Sequence, residues 1–60
     1  MGHLLASALT IEAMQTIVRR FYLSDEWTVT ETLQIVHSDG HSPTGVQVRK
    51  SGKRYRLEMV

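Results

Sequence analysis

Two short stretches of this 60-residue chain carry the side chains whose types and spacing suit chemistry. The first is His37-Ser38-Asp39-Gly40-His41, two imidazoles and a carboxylate within five residues. A transition metal takes three or four convergent nitrogen or oxygen ligands, and His37, Asp39 and His41 offer three. The same residues also spell a turn, since Ser and Asp bond their own backbone and Gly accepts positive φ. The turn reading is preferred, so no metal and no cofactor are expected, and His37, Asp39 and His41 stand as weaker candidates. A hydrolytic reading would take Ser38 or Ser42 as nucleophile, His37 or His41 as base and Asp39 as orienter. Neighbouring residues seldom aim at one centre, and no oxyanion-hole or nucleophile-elbow pattern accompanies them. Gly40, Gly45 and Gly52 match neither phosphate-binding glycine spacing. No enzyme and no small-molecule substrate are expected.

The second stretch is basic. Formal net charge is only +1, but the two signs are segregated. Residues 1–40 set Arg19 and Arg20 against Glu12, Asp25, Glu26, Glu31 and Asp39, for −3. Residues 41–60 set Arg49, Lys50, Lys53, Arg54 and Arg56 against Glu58, for +4. A balance near zero argues against bulk polyanion binding, while a concentrated basic segment can still form a local anion site.

These residues need elements to position them. Ile11, Met14, Ile17, Val18 and Phe21 recur three and four apart, and Glu12, Gln15, Thr16, Arg19 and Arg20 fill the other side. That spacing predicts an amphipathic helix over 11–22, capped by Thr10, with charges that suit its dipole. From Trp27 the period becomes two, with Trp27, Val29, Leu33 and Ile35 on one face and Thr28, Thr30, Thr32 and Gln34 on the other. This predicts a strand over 27–37, in which Glu31 marks a bulge, an edge or a bend. Turn formers over 38–45 separate it from strands at 45–50 and 53–59, joined by Ser51-Gly52.

The expected fold is α+β, an N-terminal amphipathic helix on a three-stranded antiparallel meander, in the order α-β-β-β. Residues 1–60 read as one small domain, with 1–9 as an N-terminal arm or a helix extension. With Ser51-Gly52 as the loop, Lys50 pairs with Lys53, Arg49 with Arg54, Val48 with Tyr55, Gln47 with Arg56 and Val46 with Leu57. Val46, Val48, Tyr55, Leu57 and Met59 then face the core, as do Phe21, Tyr22 and Trp27. Gln47, Arg49, Arg54 and Arg56 collect on the opposite face. Like charges directly opposed destabilise a strand pair by about 0.2–1 kcal/mol, so the crowded arginines suggest an anionic partner.

Composition bounds the remaining options. Apolar residues at 42% and charged residues at 22% are ordinary for a globular chain, and the lack of cysteine excludes thiol chemistry and zinc ribbons. A chain of this length buries only about 60% of its unfolded surface, so a partner subunit would help it. Leu4, Leu5, Leu9, Val36 and Val60 are spare apolar residues for such a contact. The longest apolar stretch near the start, Leu4 to Leu9, is far short of the about 20 residues that cross a bilayer. A cytoplasmic protein with no membrane partner is expected, working as a homodimer. Two functions fit. One is nucleic-acid binding through Gln47, Arg49, Lys50, Lys53, Arg54 and Arg56 on the sheet face and hairpin tip. The other is a protein-interaction or regulatory module with no nucleic-acid role.

Overall fold

The computed structural model describes residues 2–60. Its elements are β1 (His3–Ala8), α1 (Ile11–Tyr22), β2 (Trp27–Val29), β3 (Ile35–His37), β4 (Val46–Ser51) and β5 (Arg54–Met59). The class is α+β with antiparallel sheets, as the periodicity implies. The layout differs from a helix followed by a meander. A three-stranded sheet runs in the order β1-β5-β4, and β2 and β3 form a separate two-stranded ribbon.

The helix lies where its spacing predicts. Thr10 is extended, and its hydroxyl accepts the Ala13 N–H at 3.1 Å. Met14 and Val18 are fully buried, and Ile17 packs beside them. Phe21, expected in the core, is 46% exposed, so the buried stripe stops a turn early. At the far end Leu23 takes the left-handed conformation at φ +53°. Its N–H donates to the Arg20 carbonyl at 3.2 Å and the Ser24 N–H to the Arg19 carbonyl at 2.9 Å, closing a Schellman motif.

Residues 3–8, expected as an arm or a helix extension, instead form β1, an edge strand antiparallel to β5. Its register slips between Leu4 and Ala6, leaving Leu5 as a bulge. Gly2 continues against Met59 so closely that a Cβ there would collide with the Met59 carbonyl.

The strand expected over 27–37 is two short strands around a turn. Thr30 N–H donates to the Gln34 carbonyl at 2.9 Å, and Leu33 N–H donates back to the Thr30 carbonyl at 2.9 Å. Leu33 sits at φ +64°, the left-handed residue that a three-residue hairpin loop requires after its turn. Trp27 therefore pairs with His37, and Val29 with Ile35. The segment belongs to its own ribbon rather than to the meander.

The β4–β5 hairpin is also shifted from the expected register. Arg49 pairs with Arg56, Val48 with Leu57, Gln47 with Glu58 and Ser51 with Arg54, so the loop is Gly52-Lys53. Gly52 has φ +60° and Lys53 does not share a positive φ, the pattern of a type II′ turn with glycine first. A Ser51-Gly52 loop of type I′ would have forced Ser51 left-handed. The slip is by two residues, so every side chain keeps its expected face. Val48 and Leu57 are buried and Val46 and Tyr55 pack beside them, while Met59 is 46% exposed at the strand end. The core joins Ala8, Met14, Val18, Val29, Ile35, Val48 and Leu57, drawing on all six elements. No helix among the described residues is long and apolar enough to cross a membrane.

Candidate functional site

The outer face of the three-stranded sheet, away from the helix, carries Gln47, Arg49, Arg54 and Arg56. Its centre is Glu58, only 4% exposed. Arg49 grips it with two bonds, Nε to Oε1 at 2.9 Å and Nη2 to Oε2 at 3.1 Å. Arg56 Nε donates to Oε2 at 2.8 Å and Gln47 Nε2 to Oε1 at 3.2 Å. The new register makes this possible, with Gln47 directly across from Glu58 and Arg49 diagonal to it. The Arg49 and Arg56 bonds hold the Glu58 carboxyl down to about 2, and the same contact raises the Arg49 guanidinium.

The sequence-predicted basic residues thus divide into two groups. Gln47, Arg49 and Arg56 are engaged by Glu58, so the anion that the opposed arginines call for comes from within the chain. Lys50, Lys53 and Arg54 lie exposed at the hairpin tip, with no carboxylate partner among the described residues. Lys50 Nζ sits 5.5 Å from the centre of the Tyr55 ring.

The second candidate group does converge. His37 ends β3, and its N–H donates to the His41 carbonyl at 2.8 Å, closing the 37–41 loop. Gly40, at φ +98°, makes that tight return. The donor atoms of His37, Asp39 and His41 all lie within 4.8 Å of one another. The two imidazoles stack at 4.9 Å, and the Trp27 indole meets both edge-on at 4.8 and 5.4 Å. Tyr22 in turn stacks on Trp27 at 4.4 Å. Asp39 Oδ1 contacts His41 Nδ1 and accepts the His41 N–H at 3.0 Å. That backbone bond is the main reason the Asp39 carboxyl is held below its ordinary range.

Spacing alone found the three loop residues but missed Glu26, whose Oε2 lies 3.3 Å from His37 Nε2. It also missed Trp27 as a wall of the cluster. The loop between α1 and β2 delivers Glu26, and the β2–β3 register delivers Trp27.

Two open depressions lie elsewhere on the surface. One of about 490 Å³ is lined by Thr16, Arg19, Arg20, Leu23, Ser24 and Asp25. Another of about 350 Å³ lies along β3 and β4 between Leu33 and Val48. Neither is lined by His37, Asp39 or His41.

No family model matches this chain, and neither a curated protein nor a solved structure matches it.

Proposed function

We propose that this chain is a non-enzymatic protein-interaction module whose partner is a second copy of itself, joined edge to edge through β1. The observation that carries this is the contrast between the two edges of the three-stranded sheet. The β4 edge presents Arg49 and Lys50, charges of the kind that discourage strand addition. The β1 edge has no Lys, Arg, Asp or Glu, and presents Leu4 at 50% and Leu5 at 38% exposure. Neighbours in a regular strand point to opposite faces, so one of these leucines would be covered; with the bulge at Leu5, both are open. Pairing β1 with β1 about a two-fold axis is self-complementary and gives a six-stranded sheet in which neither copy keeps an apolar edge. Leu9, 62% exposed just beyond the strand, extends the same apolar border.

Sedimentation velocity at tens of micromolar tests this. The expected mass is twice the 6.8 kDa of the chain. Leu5→Lys, placing a charge on the edge, should return the monomer with an unchanged circular dichroism spectrum. A monomeric parent protein would refute the reading.

Nucleic-acid binding is supported by a separate observation, the exposed tip of Lys50, Lys53 and Arg54, which has no carboxylate partner among the described residues. With Arg49 and Arg56 held by Glu58, the tip offers three cations that have no carboxylate partner among the described residues. A salt titration on mixed duplex DNA should then have a log–log slope no steeper than about −2.7, at about −0.9 per phosphate neutralised.

A further inference from the structure

We propose that His37, Asp39 and His41 form a binding site for one divalent transition-metal ion of the zinc type, with Glu26 orienting His37 from behind. Four observations converge. The Asp39 N–H donates to His37 Nδ1 at 3.2 Å, so that nitrogen carries the lone pair and Nε2 carries the hydrogen. Glu26 Oε2 stands 3.3 Å from Nε2, close enough to supply the carboxylate partner that orients a metal-binding histidine and raises its basicity. Glu26 is itself placed: its carbonyl accepts the Ser38 N–H at 2.9 Å and its Oε1 accepts the Ser38 hydroxyl at 3.4 Å.

The third observation is proximity. His37 Nδ1 stands 3.1 Å from Asp39 Oδ1, and an ion bound between them would replace the Asp39 N–H as the partner of the Nδ1 lone pair. The fourth is size. Nitrogen and oxygen ligands at about 2.0–2.2 Å from zinc stand about 3.3 Å apart in a tetrahedron. The three donor atoms here lie within 4.8 Å of one another, so small side-chain rotations close the set.

Three protein ligands leave a fourth position open to solvent, since Asp39 and His41 are exposed. The ion would pin the 37–41 loop against the Trp27 face, clamping the end of β3 where the chain leaves toward β4. Trp27 is also the natural reporter, as the only tryptophan in the chain.

The test uses the full chain with His3→Gln, which removes the only other imidazole, and titrates Zn²⁺ and Co²⁺ while reading Trp27 fluorescence. A saturable one-to-one change, with visible Co²⁺ absorption of tetrahedral type and a melting temperature that rises with Zn²⁺, is expected. His41→Gln and Asp39→Asn, both in the exposed loop, should each weaken binding at least tenfold with an unchanged circular dichroism spectrum. Glu26→Gln should weaken it about 10- to 100-fold, as loss of an orienting carboxylate does. No saturable response up to millimolar metal would overturn the proposal, and so would a response that survives both loop substitutions.

Discussion

Two leucines in this chain adopt the left-handed backbone conformation, and they should respond to glycine in opposite directions. Leu23 follows α1 at φ +53° and is 91% exposed; Leu33 closes the β2–β3 loop at φ +64° and packs against the core. For an L-residue with a Cβ the left-handed region costs about 1–2 kcal/mol, while glycine's greater unfolded-state freedom costs about 0.5–1 kcal/mol in return. At Leu23 nothing else changes, because a side chain this exposed forfeits almost no burial. Leu23→Gly should therefore stabilise the protein by about 0.5–1 kcal/mol, or about 4 °C in Tm for a domain of this size. At Leu33 the same relief is opposed by lost apolar burial, worth about 1.5–3 kcal/mol for a fully buried leucine and about half that here. Leu33→Gly should come out destabilising by about 0.25–0.5 kcal/mol. Urea melts followed by Trp27 fluorescence and far-ultraviolet circular dichroism read both, with Leu23→Ala as the control that keeps the Cβ. If Leu23→Gly is no more stable than Leu23→Ala, backbone strain at the helix end is not what separates the two sites, and the reasoning fails.

Two further outcomes follow from buried polar groups. The Tyr22 hydroxyl is buried without a hydrogen-bond partner among the described residues, and burial pushes its pKa up; Tyr22→Phe removes that buried hydroxyl and should raise stability by about 1 kcal/mol in thermal melts. The Glu58 carboxyl is lowered from 4.5 to about 2 in the folded chain, chiefly by the Arg49 and Arg56 bonds. Its stabilising contribution is thus complete above pH 4.5 and lost as pH falls toward 2, so Glu58→Gln should be less stable at pH 7 and show a flatter acid limb.

How much of this was legible in the residues depends on what each element does to periodicity. Helix 11–22 announces itself because its stripe, cap and end charges agree. The faces of β4 and β5 were legible because alternation fixes parity, whereas the pairing register turned on which position of the turn holds Gly52. The β2–β3 ribbon hid for a geometric reason. Val29 and Ile35 are directly paired and six positions apart, an even number, so period-two alternation runs through the turn unbroken. A continuous strand would have put Trp27 about 33 Å from His37 at about 3.3 Å per residue. The hairpin makes them partners, which is why the histidine loop was visible in the sequence and its aromatic wall was not. β1 hid for the opposite reason: the bulge at Leu5 destroys alternation, and Ala6 and Ala8 favour helix over strand.

Glu58 also offers the sharpest separation between the two functional readings. Its carboxylate accepts four bonds, three from Arg49 and Arg56 and one from Gln47. Any phosphate approaching the outer face competes with an anion that is already in place, desolvated and fully bonded. The parent protein should therefore contact DNA through Lys50, Lys53 and Arg54 alone. Glu58→Gln removes the competitor and leaves a neutral side chain of nearly the same shape. Arg49 and Arg56 then become free, and the salt slope should steepen from about −2.7 toward about −4.5, as for five neutralised phosphates. Arg54→Ala in the parent should flatten it by about 0.9. Fluorescence anisotropy across a salt series measures all three. A parent slope already near five contacts would mean that Glu58 yields its arginines to phosphate, and the self-neutralised face would no longer argue for a protein partner over a nucleic acid.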